Sequence, residues 1–205
     1  MLVRSQPWPP NDIIQGTFES PQLINPTDFK LYDEAKNKLL ASNLFDQKNS
    51  VFEETSAYVI FLTGDLLNGH VVLLDKKTKL VDYLVKYNTA NNPLIGKSIT
   101  QVKLWRNMAS PWVNGLTSTI FFDLLLQMQP TIVSDDQQTE KGREFWIRQM
   151  SKASIIGLAV GLADFNTSSI SWCKETADFR TWIETTNAWG NQPHFMGLRF
   201  IISRH

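Results

Sequence analysis

Within the stretch TIVSDDQQTEKGREFW, residues 131–146, two aspartates, a glycine and an aromatic pair follow a short apolar run. Carboxylates and hydroxyls between a strand and a helix can do two things. Asp, Ser and Thr side chains accept hydrogen bonds from the bare N–H groups that open a helix. At a strand end they can also accept a proton from a reacting group. Thr139 as N-cap puts Gly142 where the Glu of a capping box would stand, while Glu140 suits the positive end of the helix dipole. Gly142 costs roughly 1 kcal/mol against Ala inside a helix, and Phe145, Trp146 and Met150 form the inward stripe. A second pattern lies upstream, where PWVNGLTS sets Gly115 immediately before an apolar run with helical spacing. A strand end, a glycine turn and a helix N-terminus together present backbone N–H groups to an anion. Ser134 and Asp135 are therefore candidate proton acceptors, and the turn around Gly115 is a candidate anion cradle.

These groups need a scaffold. Residues 5–26 carry five of the nine prolines and read as an extended arm, so the expected organisation is an arm at 1–26 and a single domain at 27–205. Thr27 has the character of an N-cap for a helix with Phe29, Tyr32, Leu39 and Leu40 at helical spacing, ending near Ser42–Asn43. SAYVIFLTGD, GHVVLLD and LVDYLVKY then read as an antiparallel meander. In the last of these, Val81, Tyr83, Val85 and Tyr87 are expected on one face, with Asp82 and Lys86 on the other. SITQVKLWR is a fourth strand. In LTSTIFFDLLLQM the residues Leu116, Ile120, Leu124 and Met128 recur every four positions, which predicts a well-buried helix stopped by Pro130. TIVSD is a short strand and EKGREFWIRQMSKA a helix. ASIIGLAVGLAD reads as a long buried strand, with Gly157 and Gly161 marking the close approach of a neighbour. A helix opens at Thr176 or Asp178 with Phe179, Trp182 and Ile183 inward, and FMGLRFIIS closes the chain as a strand. The fold class expected is α/β (α+β), with a mixed, mostly antiparallel central sheet flanked by helices.

Composition narrows the function classes. The chain has 205 residues, with Lys plus Arg and Asp plus Glu each totalling 20. Such a balance gives no overall field toward nucleic acid or anionic lipid, and neither is an expected partner. Lys76–Lys77 and Lys36/Lys38 read as solvated turn and helix faces. The single cysteine, Cys173, rules out an intramolecular disulfide and cysteine-pair zinc sites, and beside Trp172 it reads as a small buried hydrophobe. The histidines His70, His194 and His205 have no metal-ligand spacing, so no metal is expected. No Walker loop, dinucleotide fingerprint or Gly-x-Ser-x-Gly elbow is present. With no apolar run near eighteen residues and no signal-peptide core, a soluble, cytoplasmic protein is expected. Seven tryptophans, six of them in the second half, serve as core or as groove walls.

The order of strand, loop with Gly115, apolar helix, IVSDDQQTEKGREFW and Gly-containing buried strand resembles the GNAT-like N-acetyltransferases, in the divergent branch carried by bacteriophages and mobile elements. The run Ser134, Asp135, Thr139, Gly142 and Trp146 is similar to one in that branch, and the likeness covers about 56–163 with 195–203 as last strand. The resemblance implies an acetyl-CoA-dependent transfer to a small-molecule or protein amine. Trp112, Val113, Asn114, Gly115, Leu116 and Thr117 would hold the cofactor pyrophosphate by their backbone, and Ser134 or Asp135 would accept the proton. Of the family's Arg/Gln-x-x-Gly-x-Gly/Ala pattern only Gly115 is matched, with Trp112 and Thr117 at the outer positions. The family's tyrosine acid is absent, since Tyr32, Tyr58, Tyr83 and Tyr87 all lie upstream. These departures favour the alternative, a catalytically inactive scaffold that binds a host or viral protein. Fold alone does not choose between the two.

Overall fold

The computed structural model describes residues 3–4, 34–65, 67–107, 109–134, 140–186 and 197–204. Strand β1 (Val3–Arg4) precedes helix α1 (Glu34–Asp46). Then follow β2 (Lys48–Glu54), β3 (Tyr58–Gly64), β4 (Asn68–Asp75), β5 (Val81–Asn92) and β6 (Gly96–Arg106). A helical run over 116–128, α2, leads to β7 (Thr131–Ser134), α3 (Glu140–Ile155) and β8 (Ala159–Asp164). The chain closes with β9 (Ser169–Trp172), α4 (Phe179–Thr185) and β10 (Leu198–Ser203). Of the expected arm only β1 lies within the described residues. The Thr27 cap, Asp135, Asp136 and Thr139 fall outside them.

One mixed sheet joins ten strands in the order β2-β3-β4-β5-β6-β7-β10-β8-β9, with β1 attached to β6. Every pairing is antiparallel except β6 with β7. The chain is thus α+β, with a mostly antiparallel sheet flanked by helices, the class its patterning predicts. A parallel neighbour cannot be reached by a tight turn, and α2 supplies the crossover from β6 to β7.

Alternation along the strands divides the core. Ile60, Val71, Leu73, Tyr83 and Val85 point to the face covered by α2 and α3, while Val59, Phe61, Val72 and Leu74 meet Ala41 and Leu44 of α1. Val81 was expected beside Tyr83, but it lies under α1 with Leu74. The cause is a bulge: Leu73 pairs with Tyr83 and Leu74 with Val81, which leaves Asp82 as the extra residue and reverses the alternation. The buried Asn37 side chain clasps the backbone there, accepting from Val81 N at 2.7 Å and donating to Val81 O at 3.1 Å. Helix α1 runs past the expected stop at Ser42–Asn43 to Asp46, because Leu44 still has core to bury. At the β4–β5 turn Lys77 is exposed as expected, whereas Lys76 is half-buried and paired with Glu54 at 2.7 Å.

Two further segments differ from expectation. The run 153–164 is not one strand: Ala153–Ile155 end α3, Gly157 turns the chain at φ +82°, and only Ala159–Asp164 is extended. A left-handed glycine just past a helix is the usual terminator, so Gly157 ends a helix and does not receive a neighbour. Gly161 does receive one, since a Cβ there would lie 2.8 Å from Trp172 Cε3. The region after β8, where no strand was expected, is a hairpin to β9, and the helix α4 that follows is short.

Helix α2 contains a π segment, Ile120–Leu125. Phe121, fully buried, meets Phe145 and Trp146 of α3 edge-on, with centroids 5.5 and 5.7 Å apart. Such pairs add about 0.5–1.5 kcal/mol each beyond burial and lock α2 against α3.

Candidate functional site

Local hydrogen bonds shape the loop from β6 to α2. Asn107 N donates to Asp82 O, and Asn107 Nδ2 donates to Asp82 Oδ1 at 2.9 Å. Ser110 Oγ accepts from Trp112 N as Pro111 opens a single 3-10 turn. Trp112 then turns away from the helix start. Its indole donates to Asp75 Oδ2 at 3.1 Å, and its ring lies 5.5 Å from that of Tyr58. Burial works against the Asp75 carboxylate, but donors from Thr78, Trp112 and Lys77 outweigh it and hold its pKa below the usual value. The side chain of Trp112 is an anchor for the loop. Val113 is buried beneath it.

The chain then straightens at Asn114, and Gly115 adopts φ 78°, ψ −23° as the N-cap of α2. No side chain caps this end. A Cβ on Gly115 would meet nothing within 4 Å, so the space above the first turn is open. Leu116 and Thr117 are buried, and Lys152 of α3 reaches over to donate to Ser118 Oγ at 2.8 Å. Lys152 stands in the last turn of α3, where a cation suits the negative end of that helix, and it also brings a positive charge beside the start of α2, so an anion seated there would attract both.

Beneath the same turn Tyr83 and Thr117 face each other. Burial pushes the Tyr83 phenol far up, and the Thr117 hydroxyl and the Arg106 guanidinium only partly offset it. Neither Tyr83 Oη nor Thr117 Oγ1 makes a hydrogen bond of good geometry. Tyr83 is a neutral core phenol.

Strand β7 carries the other candidate. It pairs with β6 only from Ser98↔Thr131 to Gln101↔Ser134, while β6 continues to Arg106. Beyond Gln101 the same edge of β6 pairs with β1, at Lys103 and Leu104. Ser134 is buried, and its Oγ accepts from Phe200 N at 3.0 Å, which extends the ladder to β10 by one side-chain bond. It also lines a cavity of about 370 Å³ with Ser98, Thr100, Val133, Phe165 and Arg199. Asp135 lies outside the described residues.

The sequence-predicted residues therefore form two groups, Gly115–Thr117 at the start of α2 and Ser134 at the end of β7. Sequence reasoning missed Ser118, Lys152 and Arg199. Lys152 sits 34 positions from Ser118, and nothing in the local pattern links them. Among the described residues no cluster of His, Cys, Asp or Glu could hold a metal, and no helix is long and apolar enough to cross a membrane. Cys173 is half-buried, with its thiol pKa raised by burial. No family model, no curated protein and no solved structure matches the chain.

Proposed function

We propose that the chain is a GNAT-like domain that binds an acyl-CoA, acetyl-CoA in the first instance, and passes the acyl group to an amine. One observation carries this reading. An uncapped helix, entered through a left-handed glycine with open space beside it, begins beyond the end of β6, the strand that pairs in parallel with β7 up to Gln101–Ser134. In this reading the amides after Gly115, with Ser118 and Lys152, hold the pyrophosphate. The amine nitrogen attacks the thioester carbonyl, the C–N bond forms, the C–S bond breaks, and coenzyme A leaves as the thiolate, which finally takes up the one proton that the nitrogen gives to its acceptor. Ser134 Oγ is engaged by Phe200 N, so the amine proton is assigned to Asp135.

A thermal shift tests the reading. Acetyl-CoA at a hundred times its dissociation constant stabilises by about 2.7 kcal/mol, a rise of about 5–11 °C for a chain of this size. No rise at millimolar acetyl-CoA would sink it.

A second reading rests on a different observation: the outer positions of the pyrophosphate turn serve the fold. Trp112 is tied to Asp75 and Tyr58, and Thr117 is buried against Tyr83. This favours the non-catalytic scaffold that binds a host or viral protein. Tight acetyl-CoA binding without turnover on any amine would support it.

A further inference from the structure

Helix α1 is anchored toward β5, where Asn37 clasps Val81 and where Ala41 and Leu44 pack inward. Toward β2 the helix and the sheet do not close, and a cavity of about 350 Å³ lies between them. Its floor is one cross-strand row, in which Glu54 pairs with Val59 and Val59 with Leu74. Its roof is one stripe of α1, with Lys38, Ala41, Ser42 and Phe45 at helical spacing. Ala41, Val59 and Leu74 are buried and belong to the core under α1, while Phe45 stays exposed with its ring edge-on to Phe61. Charge is sorted around this cavity. Lys38, Lys76 and Lys79 line it against one carboxylate, Glu54, which Lys76 holds at 2.7 Å. Two neighbouring carboxylates are engaged elsewhere, Glu53 by the Tyr58 hydroxyl and Asp75 by the Trp112 indole. Lys79 stands at φ 58°, a conformation that glycine adopts at least cost. The β4–β5 turn, closed by Lys79 N donating to Asp75 O at 2.9 Å, asks for that backbone but not for a lysine. What the lysine adds is a cation at the cavity.

We propose that this cleft binds a small amphipathic anion, a carboxylate carried on an apolar body. The charge sits among Lys38, Lys76 and Lys79, and the body lies over Leu74, Val59 and Ala41 toward Phe45. Lys38 and Phe45 are seven positions apart, roughly 10 Å of helix axis, which sets the length of the body. Burial of that body supplies the attraction, and the lysines select the sign of the head group. The volume falls in the range of small-molecule sites. The cleft lies on the face of the sheet opposite α2, so the proposal is independent of the acyl-CoA reading.

Sodium octanoate is the probe, with octan-1-ol and octylamine as neutral and cationic controls of the same length. The methyl groups of Ala41, Val59 and Leu74 are followed by NMR in the full chain as each compound is added. Octanoate should shift all three, and the two controls should bind about fivefold more weakly. K79G removes the cation and relieves the left-handed lysine, so it should melt close to the wild type and bind octanoate about fivefold more weakly. S42W starts from an exposed position on the roof, so it should also melt close to the wild type, while its indole fills the cavity and abolishes the Val59 and Leu74 shifts. No shift at Val59 and Leu74 with millimolar octanoate overturns the proposal. Octan-1-ol or octylamine binding as tightly as octanoate overturns it too, because the lysines then select nothing. Octanoate binding unchanged in either variant places the ligand outside the cleft and overturns it as well.

Discussion

Replacing Gly115 separates the backbone requirement of the α2 start from its ligand requirement. Its φ of 78° lies in the left-handed region, and an added Cβ would touch nothing within 4 Å. The cost of G115A is therefore conformational alone. An L-residue in that region costs roughly 1–2 kcal/mol, and the stiffer unfolded chain returns about 0.4–1 kcal/mol of it. A net loss of about 1 kcal/mol should lower the melting temperature by about 2–4 °C. Asparagine tolerates the left-handed region, and its carboxamide oxygen can cap the bare first turn. G115N should melt close to the wild type. The same carboxamide would stand where an anion is proposed to sit, so G115N should lose acetyl-CoA affinity while G115A retains most of it. Thermal and urea melts with calorimetric titration read both effects, and G96A, at φ 70° and also in open space, is the stability control. Melting of G115A at or above the wild type would refute a left-handed backbone here. G115N that binds acetyl-CoA as the wild type does would refute the cradle.

Ser134→Ala removes the acceptor of the buried Phe200 amide and should cost about 1–3 kcal/mol; an unchanged urea midpoint would show that the bond carries no stability. Phe121→Ala opens a cavity between α2 and α3 and removes two edge-on aromatic pairs, for a loss of about 3–5 kcal/mol by denaturant melt; a loss under about 1 kcal/mol would mean that the two helices are not locked through this ring. Asp75 has a depressed pKa in the fold, so its contribution to stability is present above the unfolded carboxylate pKa and is lost as pH falls through the folded value. Trp112→Phe deletes one donor to that carboxylate, so its titration followed by NMR should move to higher pH, and the acid loss of stability should begin earlier. A titration unmoved in W112F would place the indole elsewhere.

Much of the scaffold was legible because its patterns are local. SAYVIFLTGD, GHVVLLD and SITQVKLWR carry enough apolar and β-branched residues to be strands on their own account, and the four-residue recurrence from Leu116 defines α2. Where a neighbour decides, the pattern misleads. Val81 follows strict alternation until the bulge at Asp82 reverses it, and that bulge belongs to the register with β4. The segment KNSVFEE is mostly exposed and lacks alternation, so β2 exists through its pairing with β3 and has no signature of its own. ASIIGLAVGLAD reads as continuously apolar, yet Ile155 and Ile156 are 71% and 59% exposed, because the left-handed Gly157 ends a helix where alternation alone suggests a strand.

The candidate site divides along the same line. Gly115 is legible because a left-handed helix entry demands a residue type. The fate of Trp112 is not, since only the fold shows that it serves Asp75, 37 positions earlier. Lys152 and β1 are further cases: each reaches the neighbourhood of β6 and α2 through a contact between distant parts of the chain. A ligand cradle made of backbone amides leaves little trace in side-chain identity, so the residue types at Trp112 and Thr117 do not by themselves abolish the proposed site, whose donors are main-chain groups. What would abolish it is a change in the path of the backbone. Here the left-handed entry and the uncapped first turn occur together, while Trp112 and Thr117 serve packing. In the acyl-CoA reading proposed above, cofactor binding through main-chain groups can exist without catalysis, and for that reason affinity for acetyl-CoA and turnover on an amine have to be measured as separate quantities in this protein.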